Sequence, residues 1–159
     1  MAAEVQDPLS LDEQVCFAMV VATRSILAVY RPILQPLGLT HPQYLVMLAL
    51  WQQQRITVKG LSELLALDPG TLSPLLKRLE SAGLLIRQRD PADERQLAVS
   101  LTVAGVKLRK TAVQVPTAVV RQLDIELAEL RRLRGLLHQV MAAAKASLAG
   151  DAAAVGSLS

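Results

Sequence analysis

Apolar positions keep a helical interval along most of this chain and give way to short extended runs in one region. Leu72, Leu75, Leu76 and Leu79 repeat at i, i+3, i+4 and i+7, the spacing of one buried helix face. Leu123, Leu127, Leu130, Leu137 and Met141 draw a second stripe along a final helix. Between the stripes lie two extended runs, Leu84–Arg89 and Gln96–Leu101, joined by the polar turn Asp90-Pro-Ala-Asp-Glu-Arg95.

Start and stop signals set the order of elements. Ser10-Leu-Asp-Glu13 has the form of a capping box and predicts a helix from about Leu11 to Tyr30 or Arg31, with Pro32 and Pro36 at its irregular end. Thr40-His-Pro-Gln43 opens a second helix through Trp51, and Thr57 caps a short third ending near Leu67. Asp68-Pro69 supplies an N-cap and a first helical proline for a fourth, which closes at Gly83. Thr102 caps another helix, which Pro116 bends or breaks, and the Ala/Gly/Ser tail from Gly150 is expected to be disordered.

Helix, helix, helix, hairpin predicts a mainly α protein: a winged helix-turn-helix with a small antiparallel β-wing and long N- and C-terminal dimerisation helices. The expected divisions are 1–36 for the N-terminal dimerisation region, 37–110 for a DNA-binding domain, 111–149 for C-terminal dimerisation helices, and 150–159 for the tail. The long flanking helices carry more apolar surface than so small a domain can cover, so they are expected to pair with a second copy. A monomeric helical bundle burying them internally is the alternative.

Composition sharpens this. Aromatics number only four, Phe17, Tyr30, Tyr44 and Trp51, which favours packed helices over an aromatic-rich sandwich. The net charge is only +3, but from Arg55 to Lys110 ten basic residues face six acidic ones, which suits a polyanionic partner. The first apolar run follows Asp12 and Glu13 instead of a basic segment, and no long uncharged apolar stretch occurs, so neither a leader nor a membrane span is expected. Cys16 is the single cysteine, which excludes an internal disulfide and fits a cytoplasmic protein. Cys16, His41 and His138 are too scattered for metal ligation, and no cofactor is expected.

On the helix opened by Pro69, the face opposite the leucines carries Thr71, Ser73, Pro74, Lys77 and Arg78. Short hydroxyls there suit base edges in a major groove, and Lys77 and Arg78 suit phosphates. Pro74 gives up a hydrogen bond to the Gly70 carbonyl, in the first turns where that loss is smallest. Arg87 and Arg89 share one face of the first wing strand. Asp93 and Arg95 are close enough for the carboxylate to orient a guanidinium aimed at a minor groove.

Asp68-Pro-Gly-Thr-Leu-Ser-Pro-Leu-Leu-Lys-Arg-Leu-Glu80, Gly83-Leu-Leu, Arg89-Asp-Pro-Ala-Asp-Glu-Arg95 and Ser100-Leu-Thr102 resemble the MarR family of winged-helix transcription regulators. The resemblance spans roughly Leu11 to Lys110. It implies a homodimer with interlocked terminal helices, reading a pseudo-palindromic operator in double-stranded DNA with half-sites about 34 Å apart. Gln14-Val-Cys16-Phe, Tyr30-Arg-Pro-Ile-Leu and Thr40-His-Pro-Gln-Tyr-Leu-Val-Met-Leu-Ala-Leu-Trp51 are similar to the organic-hydroperoxide-resistance regulators within it. That likeness implies a repressor, not an enzyme, in which Cys16 is oxidised to a sulfenic acid, proceeds to a mixed disulfide with a low-molecular-weight thiol or a related species, and releases DNA. Tyr30 matches a tyrosine that bonds the partner's thiol.

Spacing supports a contact between subunits. Cys16 and Tyr30 lie fourteen residues apart on one helix, about 21 Å along its axis, so only another chain's Tyr30 can approach the sulfur. Two departures from the likeness are His41, where a second tyrosine is usual, and Val20, where an aromatic is common. His41 either weakens control of the thiolate or, as an imidazolium, lowers the cysteine pKa. Other readings stand beside sensing: a structural Cys16 in a repressor relieved by a small phenolic ligand, an interaction protein without DNA, and a thiol peroxidase. The last lacks an activating group, since Arg24 is eight residues from Cys16, about 12 Å along the helix.

Overall fold

A computed structural model describes Asp7 and residues 9–156, with side chains through Ala149. The chain divides into two compact units, one through Val119 and one from Val120.

The first unit begins with a 3-10 turn, Leu11–Glu13, and α1, Val15–Leu34. The capping box expected at Ser10 does not form: the Ser10 side chain makes no cap bond, and α1 starts beyond Gln14. Pro32 lies inside α1 instead of ending it, and Pro36 sits in a 3-10 turn, Gln35–Leu37, closed by Gly38 in the left-handed region. Only Leu34 of α1 is buried, while Val15, Phe17, Val20, Val21 and Leu27 are exposed in the single chain. The stretch Val15–Leu37 is long and apolar enough in composition to cross a bilayer, although Arg24 and Arg31 interrupt it. One such helix is weak evidence of a membrane, and Arg24 near its middle would carry a charge into hydrocarbon at about 3 kcal/mol. An apolar flank that needs a protein cover explains the same composition.

Thr40 starts α2, His41–Gln53, where the Gln43 side-chain oxygen accepts from the Thr40 amide at 2.9 Å and the Thr40 hydroxyl at 3.1 Å. Gln54 ends α2 with φ 61° and leads directly into β1, Arg55–Thr57. The Thr57 hydroxyl accepts from Gly60 to cap α3, Val58–Leu65. Asp68 caps α4, Pro69–Ser81, which runs unbroken through Pro74. The turn after it is made at Gly83, φ 71°, a conformation that costs glycine nothing.

The wing comprises β2, Leu85–Asp90, and β3, Asp93–Leu101; the second strand starts three residues earlier than expected. The sheet order is β1-β3-β2, all antiparallel, with Ile56 opposite Val99 and Arg87 opposite Val99 on the other side. Then come α5, Val103–Ala112, and α6, Val115–Leu123, with Pro116 in the first turn of α6. Leu34, Met47, Leu50, Leu61, Leu72, Leu76, Leu79, Leu85 and Val99 are fully buried. Each contributes about 1.5–3 kcal/mol, enough for the leucine face of α4 to hold its opposite face outward.

The second unit is dominated by α7, Leu127–Gly156, which continues past Gly150 where disorder was expected; residues 157–159 of that tail lie outside the described residues. Leu127, Leu133, Leu136, Val140 and Met141 are exposed on it in the single chain.

Candidate nucleic-acid interface and thiol site

Asp68 prepares the start of α4. Its Oδ1 accepts the Thr71 amide at 2.9 Å and its Oδ2 accepts the Thr71 hydroxyl at 2.6 Å, and these bonds hold its carboxyl below the usual range. Thr71 therefore spends its hydroxyl proton on the cap and keeps only acceptor lone pairs for a base edge. Ser73, Pro74, Lys77 and Arg78 are exposed together beyond it. Neither Lys77 nor Arg78 has an ion-pair partner among the described residues.

The wing departs from expectation at two residues. Arg87, expected to face DNA, is held by Glu80: Nη2 and Nε donate to Oε2 at 2.6 and 3.0 Å. Asp93 does not orient the Arg95 guanidinium. Its oxygens accept the Arg95 backbone amide at 3.1 Å and the Gln96 side-chain amide at 3.0 Å, shaping the strand start instead. Arg89 donates to the Glu94 carbonyl at 2.8 Å across the turn. Arg95 is exposed, with no carboxylate partner among the described residues. The surface thus offers the Ser73 hydroxyl and the four positive charges of Lys77, Arg78, Arg89 and Arg95, on a helix and an adjoining hairpin. Glu80 and β1 were missed from sequence. A reverse-charge pair seven residues apart on different elements has no local signature, and Arg55-Ile-Thr57 is too short to show alternation. Arg55 approaches Asp90 at 3.8 Å, tying β1 to the wing.

Cys16 is exposed near the start of α1. At the other end of α1, Tyr30 meets the His41 ring edge-on at 4.7 Å between centroids, with Tyr44 at 6.1 Å. Tyr30 and His41 therefore come together, and their own chain's Cys16 stays a helix-length away. Burial raises the Tyr30 and Tyr44 phenols, so both remain protonated donors. Burial lowers the His41 pKa, which favours the neutral ring in the single chain. Beside these rings is an open cleft of about 490 Å³ lined by Leu27, Arg31, Leu39, Thr40, His41 and Pro42.

The depressed His41 has a measurable consequence. The unfolded chain takes up a proton that the folded chain resists. Its share of stability is therefore full above the ordinary imidazole value of 6.5 and declines as pH falls through it. Between about pH 8 and about pH 5.5, His41→Gln is expected to lose less melting temperature than the parent. Equal losses would show that His41 is not desolvated.

Three helices, with a β2–β3 hairpin that completes a three-stranded sheet, define a winged helix-turn-helix. The MarR family profile matches residues 39–97. The organic hydroperoxide resistance transcriptional regulator of Bacillus subtilis (strain 168) is 38% identical over 135 residues, covering 85% of this chain and 92% of that protein. Among solved structures, reduced AbfR bound to DNA superposes with a TM-score of 0.74 at 32% identity, covering 86% of this chain and 95% of that one. The PcaV regulator of Streptomyces coelicolor, in complex with its natural ligand, gives 0.75 at 25% identity over 91% and 99%. The chain belongs to the MarR family and is a transcriptional regulator of that family.

Proposed function

We propose that the protein is a homodimeric repressor that grips a pseudo-palindromic operator and releases it when an organic hydroperoxide oxidises Cys16. The observation that carries this is the placement of Cys16 and the Tyr30–His41 pair at opposite ends of one exposed apolar helix. Antiparallel pairing of two such helices covers their apolar flanks and brings each sulfur to the other chain's phenol. The likeness to a hydroperoxide resistance regulator, and to a regulator solved in reduced form on DNA, supports the same reading.

The chemistry balances. The Cys16 thiolate attacks a peroxide oxygen, the O–O bond breaks, and the alkoxide leaves to take a proton and become an alcohol. The sulfur is now a sulfenic acid, two electrons oxidised. A small thiol then displaces hydroxide, which leaves as water, forming a mixed disulfide. Either product is bulkier and more polar than a thiol, and in a packed interface it shifts the spacing of the two reading heads.

On DNA, α4 enters the major groove with Ser73 toward base edges and Lys77 and Arg78 toward phosphates, while Arg95 reaches the adjacent minor groove. Six such charges per dimer give a slope of log K against log salt of about −5, and Arg95→Ala is expected to shallow it by about 2. Titrations of a labelled duplex at several salt concentrations measure this; an unchanged slope would remove Arg95 from the interface. The cleft beside His41 favours a second reading, relief by a small phenolic ligand. Release by a phenol, untouched by a dithiol, would select it.

A further inference from the structure

The bond between Glu80 and Arg87 joins the two elements that must enter neighbouring grooves. Glu80 stands at the end of α4, and Arg87 lies in β2, an edge strand of the sheet. Besides the two guanidinium bonds, Glu80 Oε1 accepts the Arg87 backbone N–H at 3.1 Å. An edge strand leaves alternate amides without a strand partner, and here a carboxylate fills that place. One side chain thus secures both the backbone and the side chain of the wing strand. The Arg87 bonds hold the Glu80 carboxyl below its usual range, so the pair stays ionised.

We propose that Glu80 and Arg87 form a strut that sets the position of the wing against the reading helix, so that Glu80 is a positioning residue for duplex recognition without touching the duplex. This rests on the DNA reading above. Without the strut, the base of the wing stays seated through buried Leu85 and the bonds of Thr102 to Gly83 and Leu84, but the outer part of β2 loses its side-chain bonds to α4 and the hairpin is freer to bend. Helix and wing then seldom meet both grooves in register, and a specific site loses more than a random one. With Nε and Nη2 held by Glu80, the Arg87 charge is offset by a carboxylate and is not counted toward phosphate neutralisation.

The strut and simple charge predict opposite signs for one substitution. Glu80→Gln removes a negative charge near a polyanion, which by electrostatics alone strengthens binding. The strut predicts weakening: about tenfold on a duplex selected from a random pool by the parent, and under about threefold on a scrambled duplex of the same composition, with the salt slope unchanged. Arg87→Lys keeps the charge but loses the fork, and is expected to match Glu80→Gln. Glu80→Gln binding the selected duplex as tightly as the parent would overturn the strut. So would Arg87→Met shallowing the slope by about 2 while Arg87→Lys preserves it, since that marks a phosphate contact. In the free protein, hydrogen exchange at the Arg87 amide is expected to accelerate in both Glu80→Gln and Arg87→Lys, each checked for folding by circular dichroism. Unchanged exchange contradicts the strut. A parent that binds no duplex, yet shows the accelerated exchange in its variants, leaves the strut standing and ends the DNA reading.

Discussion

Cys16→Ser is expected to bind duplex as tightly as the parent and to lose its response to organic hydroperoxide altogether. Serine keeps the size of the side chain and gives up the soft, ionisable sulfur, so folding and pairing are preserved while attack on the peroxide bond stops. Cys16 lies on α1, outside α4 and the wing, so no contact with DNA is removed. The effect is therefore confined to release: with one equivalent of hydroperoxide the parent loses its duplex, and the variant stays bound. Anisotropy of a labelled duplex reads both. Release of the serine variant at the parent's dose would mean that the signal enters elsewhere, and the cleft at His41 becomes the first candidate.

Gly105→Ala is expected to be the most damaging small substitution in the first unit. A Cβ at Gly105 would lie 2.0 Å from the Leu84 carbonyl oxygen, backbone that has no freedom to rotate away. The same point is crowded with bonds: the Trp51 indole donates to the Gly105 carbonyl at 2.9 Å, and the Gly105 amide donates to the Thr102 hydroxyl at 3.1 Å. That hydroxyl donates in turn to the Gly83 carbonyl at 2.6 Å, and the Thr102 amide to the Leu84 carbonyl at 3.1 Å. Helix α5, the turn after α4 and the base of the wing meet there. Separating them costs about 3 kcal/mol, a melting temperature lower by roughly 10 °C. Thermal unfolding followed by circular dichroism checks this. A melting temperature within a degree or two of the parent's would mean that the wing base yields easily, and that the wing is less firmly seated than these contacts imply.

Much of the fold is legible because local chemistry and tertiary demand agree in its middle. Thr57, Asp68 and Thr102 read as caps and act as caps, and Gly83 turns where a left-handed residue is needed. On the leucine face of α4, Leu72, Leu76 and Leu79 are buried as their spacing predicts, and Leu75 is half-buried. Local signals mislead where competing bonds win. Ser10 and Glu13 have the residues of a capping box, but the backbone there closes a 3-10 turn first. Proline at Pro32 loses one helical bond without ending α1, because the helix continues to buried Leu34.

The site was legible by residue type and less so by partner. Sequence places Arg87 and Asp93 among groups with a task, but not whose task it is. Arg87 serves Glu80 from another element, and Asp93 serves the backbone of Arg95, whose side chain remains available. Pairings across elements depend on how α4 lies against β2, which no local pattern encodes. The Tyr30–His41 contact is of the same kind: the two residues belong to different helices, and their meeting places the thiol's expected partners in one spot.

Oxidation of one sulfur is proposed to open the grip on DNA, and one titration tests this. A labelled duplex bound by the reduced protein receives one equivalent of cumene hydroperoxide, then excess dithiothreitol, while mass spectrometry follows the peptide carrying Cys16. Anisotropy is expected to fall as that peptide gains an oxygen or a thiol adduct, and to recover as dithiothreitol removes it. Duplex that stays bound while Cys16 is oxidised, or that departs while Cys16 remains a free thiol, would contradict it.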